Sequence, residues 1–441
     1  MVSVREKVLY GLGDTASNII FQTVLLFLAY FYTDIYGLSG TMVGVLFLTV
    51  RIFDAVTDPL MGALTDRTHT RYGQFRPYIL WLAVPFGVIS VVAFTTPDFS
   101  QSGKIIYAFI TYGLLMAAYT AINIPYSALG GVLSSDINER VSIQSYRFVF
   151  GMLGGLFVTA LTLPMVDWLG QGNKALGYQL TMGVLSTLGV MFFLLCFWGT
   201  RERHQPVRHP KKNQVWKDVR ALFTNSQVRV LCTAVTVLMT AMILKSTLAI
   251  YYVKYVLGRE DFITWFISIG MVGNILGCAL ASRVSRHIEK VTAYRYLQYI
   301  SALLCLGAYF VPSNQWIMAT LLYFLWGFFL QMATPMLWAK MADTADYCSS
   351  AANKNLTGMV FSTIVFFIKL GIAFGGAFAS GLLDVFQYMP NVEQQPATQQ
   401  QIQMAFTLFP AVGFCVVGLL MNKYHLTHDK IHQLKAQSQP L

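Results

Sequence analysis

The feature that most limits what this chain can become is its set of long apolar runs, which are almost free of charge. Only 12% of the 441 residues are charged, against about a quarter in soluble globular chains. A bilayer core takes about 20 apolar residues per helical span. Candidate spans lie near 12–35, 41–64, 77–96, 105–132, 142–166, 178–199, 230–256, 262–282, 292–312, 316–341, 356–385 and 403–422. The runs do not alternate with period two, which argues against a β-barrel. The pattern excludes a soluble enzyme, a disordered chain, a coiled coil and a secreted disulfide scaffold. It predicts an all-α, polytopic membrane protein of 12 helices.

Lys plus Arg is 31 and Asp plus Glu is 20, a formal balance of +11. Cations collect in the cytoplasmic loops of membrane proteins, so the excess points to topology and not to nucleic acid. One set of loops carries Arg67, Arg71, Arg76, Arg140, Arg201, Arg203, Arg208, Lys211, Lys212, Lys217, Arg220, Arg283, Arg286 and Lys290. The opposite set carries little beyond Lys104, Lys174 and Arg259. An even span count and this asymmetry place both termini in the cytoplasm. The N-terminal apolar stretch has no convincing cleavage site and reads as a retained first span. The six cysteines form no CxxC pair, and five sit in apolar runs as small core residues. The seven histidines fall in loops or tails.

The segment 201–228 is the one long polar interruption in the middle of the chain. It sets off an N-terminal half, 1–200, from a C-terminal half, 229–425, with a tail at 426–441. Two six-helix halves around a cavity are the architecture of major facilitator transporters. The Gln-rich tract 386–402 reads as a solvated loop.

Ionisable residues inside spans are costly and face a cavity or a partner. Asp54 and Asp58, four apart in the second span, share one helical face. Together they can hold a small hard cation through oxygen ligands, or share a proton; the alternative is an Arg51–Asp54 bridge that only locks the helix. Asn18, Ser17, Thr120 and Asn123 are further polar groups within spans, with interhelical hydrogen bonding as their plainer role. Pro125 is expected to break the helix ladder after Asn123. Arg147 either serves the cavity or snorkels to the cytoplasm. Lys245 and Lys369 lie too far along their spans for that and are assigned to the cavity. Tyr126 and Trp338 are candidates for stacking on a sugar ring, or simply for packing.

These residues bring a family into view. Tyr10-Gly11-Leu12-Gly13-Asp14-Thr15-Ala16-Ser17-Asn18, the run Arg51 to Pro59, Gly62 to Thr68 followed by Arg71 to Tyr78, Tyr119 to Tyr126, and Ala342 to Tyr347 appear in order. Together they resemble the glycoside–pentoside–hexuronide:cation symporters, the melibiose-permease branch of the major facilitator superfamily, from residue 5 to about 425. The resemblance implies a cation-coupled sugar carrier of the bacterial inner membrane, working by alternating access, with no cofactor and no catalytic residues. It implies a cation site at Asp54, Asp58 and Thr120, with a further family acid falling on Asn123. The family's sugar-binding acid of the first span falls on Asn18, its neighbouring lysine on Ser17, its span-five arginine on Arg147 and its span-eleven lysine on Lys369. A stacking tryptophan is replaced by Ser127. Gln74 and Cys348-Ser349 also depart from the family pattern.

Two family acids are amides here, so the cavity is expected to be less negative by two charges, with Arg147, Lys369 and Lys245 as its cations. That suggests an anionic sugar, such as a uronide or sulfonated sugar; the rival is a neutral xyloside-type glycoside. Sodium and protons are both candidate coupling ions. Asp66 and Arg67, with Arg71 and Arg76, are expected to latch against Asp343 and Asp346; plain positive-inside charge is the alternative for Arg71 and Arg76. The expected partners are a small sugar and the lipid bilayer, with the chain monomeric. A membrane-embedded lipid or glycosyl transferase and a lysolipid carrier are the readings from other classes. No nucleophile–base constellation in the loops supports the transferase.

Overall fold

The computed structural model describes residues 2–203, 215–352, 355–389 and 392–426. Short polar residues start the helices by accepting the first unpaired N–H groups. Helix α1 (Val4–Tyr30) begins at Ser3, whose Oγ accepts the Glu6 N–H at 3.2 Å. Ser39 opens α2 (Gly40–Arg67) and Ser100 opens α4 (Gln101–Val132) in the same way. Between them α3 (Arg76–Ala93) carries Pro77 in its first turn, where no N–H is needed. Asp136 accepts the Asn138 and Glu139 N–H groups ahead of α5 (Ile137–Gly170), and Asn173 caps α6 (Lys174–Gly199).

The segment expected to be a loop between the halves is partly helical: α7 spans Val215–Thr224, and Asn225 caps α8 (Ser226–Tyr251). Then follow α9 (Ile263–His287), α10 (Lys290–Tyr309), α11 (Trp316–Ala352), α12 (Thr357–Val385) and α13 (Pro396–Leu420). Part of the Gln-rich tract is therefore helix, with Pro396 at its first position. Among the described residues, ten helical stretches are long and apolar enough to cross a membrane. Pro59 and Pro125 lie inside continuous helices. Pro125 has no N–H to donate, so the ladder of α4 loses that one bond while the helix continues through it.

The chain divides into two compact units, Met1–Lys217 with Ala351–Ser362, and Asp218–Ser350 with Thr363–Leu441. Each contains a chain turn of the same construction. Helix α1 runs into a π turn at Phe31–Ile35 and α8 into one at Tyr252–Val256. The Tyr36 N–H bonds to the Phe31 carbonyl and the Leu38 N–H to the Tyr32 carbonyl; Leu257 with Tyr252 and Arg259 with Val253 repeat this 221 residues later. Gly37 (φ 79°) and Gly258 (φ 65°) take the left-handed turn that ends each motif. An aromatic residue and a glycine six positions on are its visible trace in the sequence, and the sequence reading missed it.

Close helix packing in the first unit depends on small residues. A Cβ on Gly154 of α5 would lie 3.0 Å from Thr15 Cγ2 and 3.1 Å from the Thr15 carbonyl on α1. Lipid-facing positions remain apolar: Met191, Leu194 and Trp198 form an exposed stripe on α6.

Candidate functional site

In the first unit α2 and α4 bring the proposed ion ligands together. Asp58 is fully buried, and its Oδ1 accepts the Thr120 hydroxyl proton at 3.0 Å. A carboxylate with no exposure inside an apolar bundle needs a charge partner or a proton. Asn123 follows Thr120 by three positions on α4 and shares its side of the helix. Its Oδ1 is buried and has no hydrogen-bond partner among the described residues. The backbones of Arg51 and Asp54 belong to α2, and their side chains lie outside the described residues.

The candidate sugar residues of this unit gather around an acid that the sequence reading quoted in a motif but gave no role. Asp14, one turn before Asn18 on α1, pairs with Arg147 of α5: Arg147 Nε donates to Asp14 Oδ1 at 2.8 Å. Both are buried, so Arg147 is an interior residue and does not snorkel. Its Nη2 donates to Ser127 Oγ at 3.2 Å, and its guanidinium carbon lies 5.0 Å from the Tyr126 ring centre. Asn18 Nδ2 donates to the Asp14 carbonyl at 2.9 Å and to Asp14 Oδ2 at 3.2 Å. The available signal for Asp14 was its charge in an apolar run, four residues before Asn18. Asp14 adds to this half a negative charge that the count at Asn18 and Asn123 does not include.

Tyr126 is not a sugar platform. It is fully buried, its ring stacks on Tyr10 at 4.8 Å, and its hydroxyl donates to the Tyr10 carbonyl at 2.7 Å. Both ring and hydroxyl are occupied by α1.

In the second unit Lys245 on α8 is 5% exposed, with Nζ 4.4 Å from the Tyr323 ring centre and 4.6 Å from that of Trp326 on α11. No acid pairs with it among the described residues; the aromatic faces hold its charge. Trp338 is buried on α11, and Lys369 is half-buried on α12.

The expected latch residues have local partners. Asp66, at the end of α2, accepts the backbone N–H groups of Gly358 and Met359 at 2.7 and 2.9 Å and the Gln74 amide at 3.3 Å. It caps the positive end of α12 within the first unit. Gln74, the departure from the family pattern, accepts a bond from Asn355 at 2.9 Å and so supports the same segment. Asp343 on α11 is fully buried and pairs with Lys290 of α10. Lys340, one turn earlier, is also fully buried, with Nζ 3.5 Å from the Tyr294 ring centre. Asp343 thus engages a cation of its own unit, because Lys290 lies on a neighbouring helix. Asp346 is half-buried and Arg67 exposed. The 2–3 loop is tied down by Glu202, whose carboxylate accepts the N–H groups of Gln74, Phe75 and Arg76 at 2.8, 2.8 and 2.9 Å. Gly73 (φ 110°) makes room for it: a Cβ there would sit 2.5 Å from the Glu202 carboxyl carbon.

Comparison with known proteins agrees with this architecture. A family described as MFS/sugar transport protein matches residues 9–428. The inner membrane symporter YicJ of Escherichia coli is 39% identical, over 97% of this chain and 94% of its own. The putative glycoside/cation symporter YagG of the same organism is 37% identical, over 99% and 95%. The isoprimeverose transporter of Lactiplantibacillus pentosus is 30% identical, over 98% and 90%. A crystal structure of the E. coli fucose:proton symporter FucP superposes with a TM-score of 0.71 at 12% identity, covering 96% of this chain and 98% of that one. That likeness establishes the fold of 12 membrane helices in two six-helix halves. With the apolar helices, the buried carboxylate of α2 and these matches over nearly its whole length, the chain belongs to the MFS/sugar transport family, among the glycoside–pentoside–hexuronide:cation symporters, and is a cation-coupled sugar transporter and not an enzyme.

Proposed function

We propose that this chain couples the inward movement of a glycoside-class sugar to sodium, with Asp58, Thr120 and Asn123 as the described ligands and Asp54 as the fourth. The observation that carries the reading is the Asp58–Thr120 contact at 3.0 Å, a carboxylate and a hydroxyl from two helices meeting deep in the first unit. Oxygen donors of this kind suit a small hard cation. A proton on the same carboxylate is the alternative that the test separates. Asn18, Arg147, Lys245, Trp338 and Lys369 serve the sugar, and the two halves exchange access by rocking around it. The carrier lies in a bacterial inner membrane with both termini cytoplasmic, an orientation that the loop charges support, and acts as a monomer.

A second reading, an anionic sugar, draws on Lys245, a buried cation held by aromatic rings without an acid among the described residues. The test is reciprocal linkage: if ion and sugar occupy one coupled site, each tightens the other by the same factor. Calorimetric titration of purified protein with a p-nitrophenyl glycoside, with and without sodium at fixed pH, should show tighter binding with sodium. Affinity that follows pH and ignores sodium would assign the coupling to protons. Affinity indifferent to both would remove the coupled site.

A further inference from the structure

We propose that Asp14 sets the substrate class of this carrier and restricts it to neutral glycosides. The inference rests on the symport reading above and deepens it.

A buried arginine beside a sugar site is ordinarily an anchor for a carboxylate or sulfonate, through two parallel N–H bonds. Here the guanidinium is already engaged. Its Nε donates to Asp14 Oδ1 at 2.8 Å and its Nη2 to Ser127 Oγ at 3.2 Å, while Nη1 lies 3.5 Å from Gln144 Oε1. Its face covers the Tyr126 ring at 5.0 Å. The pair carries no net charge, so a ligand anion gains nothing from Arg147 that Asp14 has not taken.

The same carboxylate fixes what Asn18 shows to a ligand. The Asn18 amide nitrogen donates to Asp14 at two places, its carbonyl (2.9 Å) and its Oδ2 (3.2 Å). Both partners are acceptors, so nitrogen must face them and the planar amide turns its carbonyl Oδ1 the other way. That carbonyl accepts hydrogen bonds from sugar hydroxyls. It offers nothing to a carboxylate or sulfonate, which has no proton to give.

The place for this acid is built. Gly151 follows Arg147 by one turn on α5, and a Cβ there would lie 2.2 Å from Asp14 Oδ2 and 3.0 Å from Asn18 Nδ2. Only glycine leaves the carboxylate its room between α1 and α5.

The test uses three ligands that differ only at C5: the p-nitrophenyl β-D-xyloside, glucoside and glucuronide, bearing hydrogen, CH2OH and carboxylate. Competition of each against a radiolabelled neutral glycoside, in proteoliposomes of the full chain, gives the ratio of uronide to neutral affinity. Wild type should favour a neutral member by at least about tenfold, which is 1.4 kcal/mol. Asp14→Asn exposes the Arg147 charge and frees the Asn18 amide to turn, and should shift the ratio toward the uronide by at least about tenfold. The double variant Asp14→Asn/Arg147→Gln removes the pair without leaving a lone charge. It should show no such shift toward the uronide, which places the single variant's gain on the bared Arg147 charge; if the single variant does not fold, the wild-type ratio carries the test. A purely structural Asp14 would lower all affinities together and leave the ratio fixed, overturning the proposal. So would wild-type preference for the uronide, or a double variant that binds uronide as well as glucoside. If wild type exchanges no glycoside at all, the symport reading itself fails, a result distinct from these.

Discussion

The carboxylate of Asp66 caps a helix to which it does not belong: its two oxygens accept the Gly358 and Met359 N–H groups at the start of α12, at 2.7 and 2.9 Å. An acid at a helix N-terminus satisfies orphan donors and meets the positive end of the helix dipole. Asp66→Ala should loosen residues 355–362 by about 1–2 kcal/mol. Hydrogen exchange of that peptide should quicken by roughly tenfold, with Asp66→Asn between the two. Unchanged exchange would mean the cap carries no stability.

The buried Lys290–Asp343 pair makes a different demand. Removing one partner leaves an uncompensated charge, which typically costs about 3–5 kcal/mol, whereas removing both costs much less. Lys290→Met and Asp343→Leu should each lower the thermal midpoint strongly, and the double variant should recover most of the loss. Equal damage from the double variant would show that the charges are held independently, a result that Lys340 nearby makes worth checking.

Glu202 anchors three backbone N–H groups at the start of α3. Glu202→Ala should free the turn around Gly73, seen as faster exchange over residues 70–78. Gly73→Ala should do the same for two reasons, since its φ of 110° is strained for any side chain and its Cβ would strike the carboxylate. A rigid loop in both variants would locate the anchor elsewhere.

Lys369, half-buried on α12, is assigned to the sugar. Lys369→Ala should weaken glycoside binding by about tenfold, the worth of one charged hydrogen bond, with little change in thermal midpoint. Unaltered affinity would take it out of the site.

Much of this was legible in the sequence. Apolar runs mark the helices because a bilayer admits no unpaired backbone, and Asp58 and Thr120 stood out because each lies in a motif of the family the sequence resembles. Three things were not. Asp14 was passed over because a charge near the start of a span looks like a terminal residue until α5 places Arg147 against it. The local partners of Asp66 and Asp343 depend on helices that meet in space and carry no mark in their spacing. Tyr126 looked available for stacking because burial against Tyr10 is set by how α1 crosses α4, which no one-dimensional pattern records.

The most direct test is uptake into proteoliposomes with an imposed inward sodium or proton gradient, for wild type and Asp58→Asn. The account predicts that wild type accumulates a glycoside above its outside concentration, while Asp58→Asn loses that accumulation yet still exchanges glycoside across the membrane. Full gradient-driven accumulation by Asp58→Asn would contradict it.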